Sequence, residues 1–504
     1  MSLSRWRERG LAALIGALSV FTYAPFQIGG VSLGWLAPLP LAWLFARGLV
    51  TQPVTRWQLT TVSWWYGVGA FVAGVHWISV SLSVFGGMPA WMADTGTVLF
   101  AMYLALFPML AGFAASCLRS KQRWLDVVVF AMIWVLSECL RGWLFTGFPW
   151  LAVGFSQTDT VLVGFIPVGG VLLASFAVAL VAGLFALAWL KKSLKPVVYI
   201  ALIYVAGAGL SIIQWTSPMK APPLTVSLLQ GNIPQDLKWN PEFARQSLDT
   251  YLLQLQASKG QLKVLPETAL PLFYQRAKTD IPDFLAQVKA IASVPRQGVL
   301  MGTPEMGRTW DEYYNSAVLI QGKDVDQWYR KAHLVPLGEY LPLKPLTSWL
   351  LKVLNIPLGD MSSGSAYQSP IQFGSYRLAV NICYEDVFGT ELIQSAKQAN
   401  VMINMSNLAW FGKTIALDQH LQIARVRAIE NGRPMIRATN TGATAIIDAN
   451  GKLLSALPYF ESSILEGQIQ GMEGETPYQR LGGDRWIYLL ILVLIGRYWW
   501  LRRA

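Results

Sequence analysis

The sequence predicts two fold classes in one chain: a membrane α-helical bundle of about eight transmembrane helices, and an α/β domain of layered strands and helices. Three observations carry this reading. Hydrophobic residues make up 53% of the 504 positions and charged residues only 14%, against about 25% charged in soluble proteins. Long apolar runs fill residues 11–214, and a bilayer span needs about 20 such residues. Beyond Ser217–Pro223 the composition changes to short β-branched or Leu-rich runs that alternate with helical patterns, as in an α/β layered domain. The domains read as 1–215, a membrane bundle of seven helices; 216–485, an outer α/β domain; and 486–504, a C-terminal transmembrane helix.

The spans are expected at 10–26, 31–50, 58–80, 90–116, 124–141, 160–190 and 196–214, with an eighth at 486–501. The first lacks a clear small-residue cleavage site and is followed directly by more spans, so it is not read as a cleaved signal peptide. Basic residues sort by loop. Arg5, Arg7 and Arg9 precede the first span, Arg47 and Arg56 follow the second, and Arg119, Lys121 and Arg123 follow the fourth. Lys191, Lys192 and Lys195 follow the sixth, and Arg497, Arg502 and Arg503 end the chain. The loops after the first, third and fifth spans hold Arg141 alone. Cytoplasmic loops carry the Lys/Arg excess, so both termini are expected inside and residues 216–485 outside the cytoplasmic membrane.

Charge excludes one function class. The net charge is +11, yet residues 216–485 hold 25 Lys+Arg and 24 Asp+Glu. The basic excess thus belongs to the apolar part, and no nucleic-acid motif or polybasic face stands out. Cys117, Cys139 and Cys383 are odd in number and far apart, which does not make a disulfide framework or a CxxC zinc site. His76, His333 and His420 also lack ligand spacing. No metal or other cofactor is expected. Glu138 and Arg141 lie three apart near the outer end of the fifth span, on one helix face. They are either an ion pair that fixes packing or a contact to a lipid headgroup, since intramembrane charge tends to be functional. His76 reads as a packing histidine.

In the outer domain, strands are expected at Leu224–Leu229, Lys263–Leu265, Gly298–Gly302, Ser316–Ile320, Leu378–Ile382, Val401–Asn404 and Ala443–Ile447. Helices are expected at Phe243–Ser258, Ile281–Ala292, Gly389–Gln398 and Leu417–Asn431. Three strand ends carry chemistry. Val264-Leu265-Pro266-Glu267-Thr268 puts a carboxylate just past a strand, where open α/β sheets bind ligands. Tyr329-Arg330-Lys331 leads on to Glu339-Tyr340. Leu378 to Ile382 runs straight into Cys383-Tyr384-Glu385-Asp386, the pattern of a nucleophile on a strand-to-helix turn. Taken singly, each is ordinary: an acid or lysine after a strand is usually solvated, and a cysteine ending an apolar strand is usually a small buried hydrophobe. Their combination and order are far more specific.

In that Glu, Lys, Cys order the sequence resembles the nitrilase superfamily. The fuller match resembles the membrane-integrated apolipoprotein N-acyltransferase family of Gram-negative bacteria. It rests on eight spans with a nitrilase-like domain between the last two, on Gln230-Gly231-Asn232-Ile233-Pro234-Gln235 with Lys238-Trp239, and on Lys331 to Glu339 and Cys383-Tyr384-Glu385. Gln422-Ile423-Ala424-Arg425, Arg437 to Gly442 and Gly147-Phe148-Pro149-Trp150 extend it. The resemblance implies a four-layer α-β-β-α sandwich on a helical bundle in the bacterial inner membrane, with the catalytic domain in the periplasm. It implies a ping-pong acyl transfer: a phospholipid donates an acyl chain to a cysteine thioester, and the chain passes to the α-amine of a diacylglyceryl-cysteine that begins an apolipoprotein. Cys383 would be the nucleophile, Glu267 the base and Lys331 the oxyanion-stabilising cation, with the backbone N–H of Tyr384 as a second donor. A thiol is only a few per cent ionised at neutral pH, so it needs such a base. Glu339 would orient Lys331 or the amine; Trp239, Tyr384 and Glu385 would govern substrate access. The apolar stretch Pro336 to Met361 would rest at the interface as a lid or pack on its own domain. One chain carries the complete set, so a monomer is expected. The rival readings are an anchored amidase or nitrilase for a small soluble substrate, a transporter with a ligand-binding outer domain, and a silent scaffold. Eight spans are a heavy anchor for the first, paired interrupted helices are not evident for the second, and the intact Glu, Lys and Cys set argues against the third.

Overall fold

The computed structural model describes residues 3–49, 55–120, 122–236, 238, 241–309, 312–322, 324–340 and 361–503. It forms two compact units, one of residues 1–79, 89–214 and 480–504, the other of residues 80–88 and 215–479.

The first unit is helical. Helices cover Leu3–Ser19, Pro38–Leu49, Arg56–Gly74, Ala90–Leu104, Leu106–Leu118, Arg123–Arg141, Ile166–Lys191, Lys195–Ser211 and Ile487–Arg503. Leu41, Phe45, Val127, Phe130, Val178 and Ala182 meet in its core. The helices Leu3–Ser19 and Arg56–Gly74 approach closely through Gly16 and Gly69. A Cβ on Gly69 would lie 1.8 Å from the Ala13 carbonyl oxygen and one on Gly16 2.0 Å from that of Tyr66, the small-residue packing typical of membrane helices. Arg497 Nη2 donates to Asp126 Oδ1 at 2.8 Å, pinning the last helix to Arg123–Arg141.

A helix falls on each of the expected spans, but the count of eight is not reached by length and composition. Among the described residues, Ala90–Leu118 and Val161–Lys191 are long and apolar enough to cross a membrane, with a third if Arg56–Gly74 and Ile78–Phe85 are one broken span. The reasons are local. Leu3–Ser19 carries Arg5, Arg7, Glu8 and Arg9, Pro38–Leu49 has only 12 residues, and Arg123–Arg141 contains two acids and two arginines. Lys195–Ser211 and Ile487–Arg503 stop at 17 residues each.

The second unit is a sandwich. One six-stranded sheet runs in the order Ser463–Ile469, Leu224–Gln230, Leu262–Val264, Gly298–Met306, Tyr313–Ile320, Gln327–Arg330. The other runs Leu453–Ala456, Ala445–Ile447, Met435–Thr439, Val401–Ser406, Tyr376–Ile382, Ile371–Phe373. Each sheet has a parallel centre: Leu224–Gln230, Leu262–Val264 and Gly298–Met306 in the first, Tyr376–Ile382, Val401–Ser406 and Met435–Thr439 in the second. Side chains alternate in and out along a strand, and both faces of these strands are apolar. Leu224, Val226, Leu228, Leu300 and Leu319 meet Leu378, Val380, Ile382, Ile403 and Ile436 between the sheets. On the outer face of the first sheet, Leu229, Val299 and Met301 pack with Leu248, Tyr251, Leu285 and Val288 of helices Pro241–Ala257 and Pro282–Ala292. On that of the second, Ala379, Met402 and Met435 pack with Leu392 and Ala396 of Gly389–Gln398 and with Leu421 and Ala424 of Ala416–Asn431. These are the four layers that the resemblance implies. The expected strands and helices all form, their ends shifted by a few residues. Strands Gln327–Arg330, Ile371–Phe373, Met435–Thr439, Leu453–Ala456 and Ser463–Ile469 were not expected.

Candidate active site

Glu267 follows the short parallel strand Leu262–Val264. Backbone bonds from Leu265 N to Leu300 O, 2.9 Å, and from Leu270 N to Gly302 O, 3.1 Å, carry the chain past the sheet end. The turn can form there because Gly302 has no side chain: a Cβ would lie 2.5 Å from Pro266 O and 2.6 Å from Thr268 N. Thr268 itself has φ +47°, in the left-handed region where a β-branched residue is a genuine outlier. The Glu267 carboxylate is buried and held at both oxygens. Oε1 accepts from Asn315 Nδ2 at 2.8 Å and lies 3.7 Å from Lys331 Nζ; Oε2 accepts from the backbone N–H of Asn407 at 2.8 Å.

Lys331 ends the strand Gln327–Arg330. Its N–H donates to Asn315 O and its carbonyl accepts from Gly364 N, both at 2.8 Å. Its ammonium is 1% exposed and donates to Glu339 Oε1 at 2.7 Å. Burial alone would lower this ammonium, but the charges of Glu339 and Glu267, with Cys383, outweigh it and hold Lys331 above its ordinary value. Glu339 also accepts from Val335 N at 2.8 Å through Oε2 and from Asn315 Nδ2 at 3.3 Å through Oε1. Asn315 thereby ties the two carboxylates that share the lysine.

Cys383 stands at the end of Tyr376–Ile382, in the second sheet, with φ +54°. Burial pushes its thiol well above its usual value; Glu267 adds to this and Lys331 opposes it. The turn is fixed from behind. Asn404 Nδ2 donates to Cys383 O at 3.1 Å and to Asn381 Oδ1 at 2.6 Å. Arg437 Nη1 donates to Asn404 Oδ1 at 2.9 Å and to Asp386 Oδ2 at 2.8 Å, and His420 Nε2 pairs with Asp386 Oδ1 at 2.6 Å.

The expected supporting residues occupy different places. Glu385 is buried, and its carboxylate spans the two sheets. Oε1 accepts from Ala332 N at 2.7 Å and His333 N at 3.1 Å, Oε2 from Ile382 N at 2.6 Å, and both oxygens from the Tyr329 hydroxyl. Tyr384 is partly exposed and packs edge-on to Phe388, with centroids 5.1 Å apart; Phe388 in turn stacks on His333 at 3.7 Å. Trp239 and most of the expected lid, 341–360, lie outside the described residues. In the helical unit, Arg141 donates through Nη1 to Phe148 O at 2.6 Å and to Trp150 O. Glu138 Oε1 accepts from Trp134 Nε1 at 3.0 Å and Val153 N at 2.9 Å. Both charges are buried on the chain's own 148–153 segment.

Asn315 and Asn407 were missed. Asn315 lies at the mixed, polar start of the strand Tyr313–Ile320, beside Ser316, which gives little signal; Asn407 contributes a backbone N–H, which leaves none.

A buried carboxylate held by hydrogen bonds, a buried cation and a thiol on a strained turn make up the equipment for acyl transfer through a covalent intermediate. The family model for carbon-nitrogen hydrolases matches residues 225–478, and that for the N-terminal domain of apolipoprotein N-acyltransferases matches residues 15–184. Among solved structures, a CN-hydrolase superfamily protein from Xanthomonas campestris aligns with 50% of this chain and 91% of its own at 16% identity and a TM-score of 0.37. The apolipoprotein N-acyltransferase of Nitrosomonas europaea is 42% identical over 96% of this chain and 95% of its own. That of Chromobacterium violaceum is 40% identical over 98% and 94%. With relatives matched end to end at this identity, the chain belongs to the apolipoprotein N-acyltransferase family.

Proposed function

We propose that Cys383 is the acyl-carrying nucleophile of a phospholipid to apolipoprotein N-acyltransferase, with Glu267 as general base and Lys331 as the cation at the oxyanion. The observation that supports this most is the shared lysine: Lys331 sits 2.7 Å from one carboxylate and 3.7 Å from the other, beside the thiol. In the first half, Cys383 Sγ attacks an ester carbonyl of the phospholipid while Glu267 takes the thiol proton. Lys331 faces the oxyanion, a role worth roughly 3–4 kcal/mol when one such donor is removed. The intermediate collapses to the thioester, and Glu267 returns its proton to the departing lyso-lipid oxygen. In the second half, the α-amine of the diacylated cysteine attacks the thioester, Glu267 accepts a proton from that amine, and Cys383 leaves as the thiol. Glu339 orients Lys331; Glu385 clamps the lysine loop to the cysteine turn.

We further propose that all eight apolar stretches cross the bacterial inner membrane and that 216–485 faces the periplasm, on the alternation of Lys/Arg loops. The enzyme acts as a monomer, since one chain supplies every catalytic group. The test of the chemistry is intact-mass analysis of the purified protein after incubation with phospholipid. One acyl mass should appear, and vanish on addition of a diacylated lipopeptide with a free α-amine. Cys383→Ala and Cys383→Ser should carry none; acyl mass on Cys383→Ala would overturn the assignment. A reporter fused near residue 300 should be active only in the periplasm.

A further inference from the structure

The geometry points to Lys238 as a positioning residue for the base: from behind the turn, its ammonium holds the backbone of Glu267 and sets a positive charge beside its carboxylate. This rests on reading Glu267 as the base. Lys238 is 4% exposed. Its Nζ donates to the backbone carbonyl of Glu267 at 3.2 Å and to the hydroxyl of Thr268. Those two residues form the turn that carries the base, and Thr268 is the one with φ +47°. A β-branched residue persists there only when its surroundings over-determine the conformation. The ammonium meets the turn on one side, and the space left by Gly302 admits it on the other.

A buried lysine that only filled space would be a poor choice, because burial penalises its charge. That penalty is visible: burial pulls Lys238 down to about 8, with the charge of Glu267 pulling it back up. A methionine would fill similar volume without that cost. What the lysine adds is a donor to the turn and a positive charge on the far side of Glu267. The charged groups around the Glu267 carboxylate are then Lys331 and, across Asn315, Glu339, with the Cys383 thiol and Lys238 behind. Lys331 lies closer to Glu339 than to Glu267, whereas the charge of Lys238 acts on Glu267.

The experiment uses the full-length protein in detergent with phospholipid, following single-turnover acylation by intact mass from about pH 3.5 to about pH 9, across the range where carboxyl and thiol groups titrate. Lys238→Gln retains a donor for the turn but removes the charge. An opposite charge nearby lowers a carboxyl by about 1–3 units, so the acid limb of the rate profile should move up by about one pH unit. Lys238→Met removes donor and charge, and should show the same shift with a lower plateau. Lys238→Arg should keep the limb at its wild-type position. Thermal melting of each variant separates folding from chemistry, and Lys238→Gln carries the test if Lys238→Met does not fold. An acid limb unmoved in Lys238→Gln would overturn the inference. Glu267→Gln is measured alongside: if it still acylates, the reading of the base fails, whatever Lys238 does.

Discussion

Glu339→Gln should weaken the base rather than merely loosen the site. Lys331 Nζ is now divided between Glu339 at 2.7 Å and Glu267 at 3.7 Å. Neutralising Glu339 lets the ammonium close on Glu267. At an effective dielectric of about 20, a pair of unit charges gains about 4.5 kcal/mol at the longer distance and about 6.1 kcal/mol at the shorter. The difference, about 1.7 kcal/mol, corresponds to about 1.2 units of proton affinity. The acid limb of single-turnover acylation should therefore move down by about one pH unit. If proton transfer follows about half of the change in base strength, the plateau should fall about 4-fold. The glutamine keeps Oε1 for Lys331 and Asn315, but its amide meets the Val335 N–H, costing about 1 kcal/mol of stability. The assay is the same mass-detected acylation, with thermal melting as control. An acid limb that stays in place or moves up would refute the reasoning, because the lysine would then not be shared.

Further expectations follow from other contacts. Gly302→Ala should displace the Glu267 turn, since its Cβ meets Pro266 O at 2.5 Å; acylation should drop about 10²-fold, as for a misplacement of about 1 Å, with a modest change in melting temperature. Burial holds His420 below its ordinary value, against Asp386. As pH falls below about 6.5 the unfolded chain gains a proton that the native state refuses, so stability is lost. His420→Gln should flatten that part of the melting-temperature profile. Arg141→Ala strands the carbonyls of Phe148 and Trp150 and should cost about 3 kcal/mol, with an unchanged KM for phospholipid. A raised KM at constant stability would favour the headgroup contact instead.

Glu267 and Cys383 were legible because each follows an apolar strand with a group that chemistry can use, and Lys331 by its place between them in the Glu, Lys, Cys order. The strands themselves were legible where both faces are buried, as in Leu224–Gln230. Gln327–Arg330 was not, because four mixed residues show no period. Ser463–Ile469 was not either: it is half-exposed, and its partner lies more than 230 positions earlier, at Leu224–Gln230. Glu385 was read as a substrate-facing acid, yet its contacts are three backbone N–H groups and a tyrosine hydroxyl. Nothing in a sequence marks a carboxylate whose partners are amides brought in from the opposite sheet. The spans were found by hydropathy, but their number depends on charges inside helices such as Arg123–Arg141, whose Asp126 is paired by Arg497 from the far end of the chain.

Glu267 and Lys331 follow strands of one sheet and Cys383 follows a strand of the other. The leucines and valines between the sheets therefore act as a caliper: their bulk sets the gap between Cys383 and the pair Glu267 and Lys331. Loops can diverge to suit other acyl donors or acceptors without disturbing that gap. A substitution deep in the sandwich, far from any substrate, can change the rate by altering it. Selection on the interior of this domain is thus selection on catalysis as well as on folding.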